Sequence, residues 1–275
     1  MLNPTNNSQK KDSIQMPDKL RVLITGSSGL IGGVVIRTLS EKFEFLGLDI
    51  AKPDTAPDVP TLVTDLHDLE AVLPAFEGVD MVVHLAANPD QRGSWDSVLH
   101  NNIVTTYNVW EASKRAGVKR IVYASSNHAV GMYELEDHAG DIRTGNYGNR
   151  EPGAFPQIDN TVTIRPDGYY GIGKAFGEAT GAYYHDNFGI EAACLRIGTV
   201  SRDDDPKANV RMKATWLSHR DAVHLIDRCL SVDDLGFQIF YGVSNNTWRF
   251  WDIEHAKQFL GYNPQDNAQD HWPEG

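Results

Sequence analysis

The chain of 275 residues carries a formal net charge of −12, with 41% hydrophobic and 23% charged residues. That acidity argues against non-specific binding to nucleic acid or to an anionic membrane surface, and the longest apolar runs, such as VDMVVHLAA, are too short to span a bilayer. Two cysteines, Cys194 and Cys229, are too few for a disulfide framework or a zinc cage. Both lie in apolar runs, so both are expected to be reduced and buried, and no metal is called for.

In chain order, the opening MLNPTNNSQKKDSIQMPDK is polar and holds no apolar leader. Residues 1–18 are expected to be a disordered tail and 19–275 a single domain in the cytoplasm. LRVLITG is a β-rich run ending in glycine, GLIGGVVIRTLSEKF has helical periodicity, and EFLGLDI is a second strand. HDLEAVLPAFEG is a helix, and VDMVVHLAA has the continuous apolar content of a buried parallel strand. DSVLHNNIVTTYNVWEASKRAG is a long amphipathic helix, followed by the strand VKRIVYASS. Residues 134–168 break this rhythm with Gly, Asn, Asp and Pro, which predicts an irregular loop whose length suits a lid. A helix resumes at YYGIGKAFGEATGAYYHDNFG, then come the strand IEAACLRIG, the helix WLSHRDAVHLIDRCLSV and a last strand, FQIFYGVS. Strands spaced by helices of this length predict βαβ units. The expected fold is a Rossmann-type α/β doubly wound parallel sheet with a small C-terminal substrate-binding portion.

TGSSGLIG places Gly26, Gly29 and Gly32 between the first strand and the first helix. A sharp turn, close backbone approach to a pyrophosphate and a helix N-terminus all need small residues there. Asp49 follows at the end of the second strand. A carboxylate there accepts hydrogen bonds from ribose hydroxyls and repels a 2′-phosphate, so NAD is expected rather than NADP. Asp65, beside Leu66, has two readings: a contact to the adenine amine, or the N-cap of the helix that follows.

Tyr170 and Lys174, in YGIGK, are four apart and share a helix face. An ammonium beside a phenol favours the phenolate, which converts a poor base into a usable one. Ser125 and Ser126 close a buried strand at the carboxyl edge, where open α/β sheets bind ligands. Turn chemistry at a strand end is the plainer reading of either serine alone.

Together these features resemble the extended short-chain dehydrogenase/reductase superfamily, over residues 20 to 265. The resemblance implies a catalytic Ser126–Tyr170–Lys174 triad, with Lys174 also on the nicotinamide ribose. It implies a cofactor site that adds Ser28, Leu30, Ile31, Leu85, Ala86, Ala87, Asn102, Ser125 and Ile197 to the residues above. The runs YASSNHAVGMY, RPDGYYGIGKAFGE, LRIGTV, RMKATWLSHRD and YGVSNNTWRFWD look most like the uronate dehydrogenases within it. Those enzymes oxidise C1 of a cyclic hexuronate to an aldarolactone with NAD. Carried over by position, Asn127, His128 and Thr199 would line the sugar site, with Ser126 and Tyr170, and Arg211 would grip the carboxylate of a small anionic sugar. From spacing alone, Arg211 is a solvated residue in a polar run, and His128 a structural histidine.

The pattern departs from that family at Pro89 and Gly173, each where the family has a serine. Two enzyme alternatives stay open: a glucose-6-phosphate dehydrogenase, and a sugar-nucleotide epimerase or dehydratase that keeps its NAD. A protein that only binds NAD is a third. The resemblance also implies a homodimer or higher homo-oligomer.

Overall fold

A computed structural model describes residues 19–54 and 56–272, so the expected N-terminal tail lies outside the described residues. Among these, the sheet has seven strands in the order β3-β2-β1-β4-β5-β6-β7, every neighbouring pair parallel. The strands are β1 Arg21–Thr25, β2 Glu44–Asp49, β3 Thr61–Val63, β4 Met81–His84, β5 Arg120–Ser126, β6 Glu191–Ile197 and β7 Phe237–Gly242. This is the expected Rossmann-like fold. Strand β3 is the one that pattern reading missed, because three residues at a sheet edge carry no periodicity.

The apolar runs face both ways. Val22 and Ile24 of β1 pack with Val35, Ile36 and Leu225 on one side. Leu23 packs with Val82, Val109 and Trp110 on the other. All three β1 residues are fully buried, each stabilising the fold by about 1.5–3 kcal/mol through burial. Both cysteines are buried and unpaired, as expected.

The helices are α1 Leu30–Leu39, α2 Leu69–Val72, α3 Trp95–Val98, α4 Thr105–Ala116, α5 Asp137–Arg143, α6 Tyr169–Phe188, α7 Met212–Thr215, α8 His219–Ser231 and α9 Glu254–Leu260. Two differ from the pattern. The segment read as one helix from His67 tightens into a 3-10 turn over Leu73–Phe76, where Pro74 lacks an N–H to continue the α ladder. The long amphipathic helix is α3 and α4 joined by a π-helical stretch, Leu99–Val104. It starts at the Ser94 cap and ends at Gly117, whose φ of +77° suits glycine.

Residues 134–168 are not a free lid. Asn127–Leu135 form a 3-10 segment that runs into α5. Val130, Ala139, Ile142 and Phe155 bury themselves against Phe250 and Trp251. The backbone of Ile158 bridges to Trp251. The expected irregularity holds only in part, since buried apolar side chains tie this stretch to the C-terminal end of the sheet.

Candidate active site

The carboxyl ends of the strands open into a cleft of about 850 Å³. At one end the β1–α1 turn is shaped by Gly26, at φ +74°, where a Cβ would stand 2.8 Å from the backbone nitrogen of Ala86. Ser28, Gly29, Leu30, Ile31 and Gly32 continue the lining. The Asp49 carboxylate ends β2 and is held by the backbone N–H groups of Ser28 at 2.8 Å and Ile50 at 2.7 Å. Asp65 and Leu66 lie further along the same wall. The helix cap is Asp68, which accepts from Ala71 N–H, so Asp65 is not that cap; its carboxylate accepts from His67 N–H at 2.9 Å. Leu85, Ala86, Ala87, Ser125 and Ile197 line the cleft as expected.

At the other end, Ser126 closes β5, and its hydroxyl accepts from the His128 N–H at 3.2 Å. Tyr170 and Lys174 come from the first turns of α6, and all three line the cleft. Burial pushes the Tyr170 phenol up to about 12, the neighbouring Ser126 hydroxyl moderating the rise. Burial pulls the Lys174 ammonium down to about 7. Its Nζ donates to the Ala124 carbonyl at 2.6 Å and stands 5.5 Å from the centre of the Tyr170 ring. His128 packs edge-on against that ring, and its Nδ1 pairs with Asp167 Oδ2 at 2.7 Å.

The glycines of α6 explain its closeness to the site. A Cβ at Gly171 would collide with the carbonyl of His128, and one at Gly177 with the ring of Tyr123. A Cβ at Gly173 would stand 3.1 Å from Val98 Cγ1 and 3.2 Å from Asn102 Cβ. The missing serine at that position therefore lets α6 pack tightly on the π-helical stretch.

Three expected residues stand behind the cleft instead of lining it. Asn102 is buried, and its amide takes the N–H of Asn88 at 2.9 Å and gives to its carbonyl at 3.1 Å. It therefore reaches the cleft only through Asn88, which lines it. Asn127 is buried and donates to Glu134 Oε1. Arg211 is already paired: its Nε and Nη2 meet the two oxygens of Glu134 at 2.6 Å each. Its Nη1 reaches Thr199 Oγ1 at 2.9 Å. Of the proposed sugar contacts, Ser126, His128, Tyr170 and Thr199 line the cleft.

Four acidic residues escaped pattern reading. Glu178, one turn after Lys174, accepts from Ser125 Oγ at 2.6 Å and pairs with Arg196 through both oxygens at 2.9 Å. Glu134 and Asp167 are described above. Glu136 pairs with Arg165. Only Glu178 carried a local signal, its i+4 spacing from Lys174.

The model for the NAD dependent epimerase/dehydratase family matches residues 22–220. The chain belongs to that family. It is 37% identical to an NAD-dependent glucose-6-phosphate dehydrogenase of Haloferax volcanii, over 92% of this chain and 96% of the relative. It is 36% identical to a uronate dehydrogenase of Pseudomonas putida, over 90% and 85%. The crystal structure of a uronate dehydrogenase mutant from Agrobacterium tumefaciens, complexed with NAD, superposes with a TM-score of 0.76 at 32% identity, over 94% of this chain and 91% of that one. Like the dehydrogenases to which it is similar, the protein is an NAD-dependent oxidoreductase. Its residues fit the cofactor: the β1–α1 turn has no room for a Cβ at Gly26, and Asp49 stands where a ribose diol would be bound.

Proposed function

We propose that the chain is a sugar dehydrogenase that oxidises C1 of a cyclic aldose to its lactone, with Ser126, Tyr170 and Lys174 as the reacting set. The observation that carries this reading is the lining of one cleft by Ser126, Tyr170 and Lys174, the last one helical turn beyond the tyrosine. Bound NAD supplies the hydride acceptor and a positive charge at this end of the cleft. Ser126 holds the C1 hydroxyl by a hydrogen bond. Tyr170 takes its proton, acting as general base. A phenol near 12 is too weakly acidic for that role alone, so cationic neighbours must lower it: Lys174 while it holds its proton, below about pH 7, and the bound nicotinamide at higher pH. His128, fixed by Asp167, bounds the sugar side of the tyrosine ring.

Similarity to uronate dehydrogenases supports a hexuronate substrate, and similarity to the Haloferax enzyme supports glucose 6-phosphate. The pairing of Arg211 with Glu134 opposes a clamp on a sugar carboxylate. The test is NADH absorbance from purified protein, NAD and a panel of neutral aldoses, hexuronates, glucose 6-phosphate and UDP-glucose. Net NADH formation with any free sugar or sugar phosphate supports C1 oxidation. No NADH with any of them, but turnover of the sugar nucleotide, overturns it in favour of the epimerase or dehydratase reading.

A further inference from the structure

The acidic partner of Arg211 is part of this chain. Glu134 ends a 3-10 segment that begins next to Ser126, and only 4% of its side chain is exposed. Three donors meet its two oxygens: Nε and Nη2 of Arg211 and Nδ2 of Asn127. The remaining guanidinium nitrogen is turned to Thr199. A hydrogen-bonded chain thus runs from Ser126 through Asn127, Glu134 and Arg211 to Thr199, behind the sugar end of the cleft.

We propose that Glu134 sets substrate choice by filling the anion seat of Arg211 with a protein carboxylate, so that the cleft selects an aldose bearing no acidic group. Resting on the C1-oxidation reading above, this names the substrate class of the same site. A planar guanidinium binds one carboxylate with its paired donors. For a sugar acid to take that place, Glu134 would have to leave, and a buried carboxylate would lose its charged partner and both hydrogen bonds to it. A second carboxylate added beside the first would face it across a single cation. Nor do the described residues give the cleft another seat. Of its lining residues only Lys174 and His128 are basic; the first is bonded to Ala124 at the reacting end and the second to Asp167. Arg92 lines a neighbouring hollow instead. Thr199 itself lines the cleft and stands between it and Arg211, to whose Nη1 its hydroxyl is bonded.

The test compares kcat/KM for glucose, galactose and arabinose with that for glucuronate, galacturonate and glucose 6-phosphate, in the wild type, Glu134→Gln, Glu134→Ala and Arg211→Ala. The wild type is expected to prefer neutral aldoses. Releasing Arg211 by Glu134→Gln or Glu134→Ala should shift the ratio of hexuronate to neutral aldose by about ten- to a hundredfold, the worth of a hydrogen bond between charged groups. The shift should come from a lower KM for the hexuronate, with the KM for NAD unmoved. Arg211→Ala should not produce it. Damage to packing alone would depress all sugars together and leave the ratio unchanged, and that result would overturn the proposal. So would a wild type that prefers a hexuronate or glucose 6-phosphate over every neutral aldose. No NADH from any sugar with the wild type would instead remove the C1-oxidation reading itself.

Discussion

Lys174 donates its ammonium hydrogen bond to the Ala124 carbonyl, 2.6 Å away, from a buried position at the wall of the cleft. The lysine is thereby aimed along the strand that delivers Ser126, at the price of burial that favours its neutral form. Tyr170 is shifted the other way, with its proton held more tightly than in water. For a reaction in which Tyr170 must accept a proton, turnover should rise with pH. We expect kcat/KM for the sugar to climb from pH 6 toward pH 10, by up to tenfold per unit. Tyr170→Phe should abolish it while leaving NAD affinity close to that of the wild type. A flat profile, or an active phenylalanine variant, would exclude Tyr170 as the base.

Stability should respond to Lys174 in a defined pH window. Its folded value lies near 7, against 10.5 for the free side chain. Between those values the unfolded chain binds the extra proton, so the folded state gains stability as pH rises. The burial penalty is therefore full below about pH 7 and gone near pH 10.5. Lys174→Met, inactive as an enzyme, should be more stable than the wild type at pH 6–7 by ~2 kcal/mol, after allowing for the lost bond to Ala124. Urea unfolding at several pH values would check this, and the difference should shrink as pH rises and reverse toward pH 10, where only the lost bond to Ala124 remains.

The Glu178–Arg196 pair is 2% exposed on both sides and ties α6 to β6 immediately behind the reacting residues. Glu178→Ala leaves a buried guanidinium without its partner and should cost about 3–5 kcal/mol. The double variant Glu178→Leu with Arg196→Met should recover much of that loss. Activity should stay low in the double variant, because Ser125 and the first turns of α6 lose their anchor. Chemical denaturation and NADH formation on the same preparations would separate the two effects.

Asp49 should govern cofactor choice. Replacing it with serine removes the charge that faces the cleft while keeping a short polar side chain. We expect NAD affinity to fall by about ten- to a hundredfold and discrimination against NADP to weaken. Titration of both cofactors by fluorescence would measure the ratio. An unchanged ratio would remove Asp49 from that role.

What the sequence revealed, and what it hid, divides by distance along the chain. The three glycines of the Gly26–Gly32 turn, Asp49 and the Tyr170–Lys174 pair are local patterns, and each of these residues lines the cleft. The strands β1, β2 and β4 to β7 were legible because both of their faces are apolar. Strand β3 was not, being three residues long, and Pro74 gave the only sign that the second helix would tighten. Arg211 was placed in the right neighbourhood with the wrong partner. Its bond to Glu134 spans 77 residues, and that of His128 to Asp167 spans 39. No periodicity encodes such pairings. They arise only when the 3-10 segment after β5 and the chain after β6 are folded against each other. The packed segment 134–168 misled for a related reason, since Gly and Pro content speaks of turns and not of what the turns are buried against.

The strand order also dictates when the enzyme becomes one. The cradle, β1 to β4 with the Leu85–Ala87 stretch that follows, lies within residues 21–87, and β1 is clasped to the start of β4 by a bond from Arg21 to Asp80 across 59 residues. The proton-handling end waits for β5, α6 and β6, and its anchor to Arg196 comes last of all. Contacts between distant residues close slowly, and synthesis delivers the N-terminal half first. On refolding, nucleotide binding should therefore return ahead of turnover, and the lag between them would time the docking of α6 onto the finished sheet.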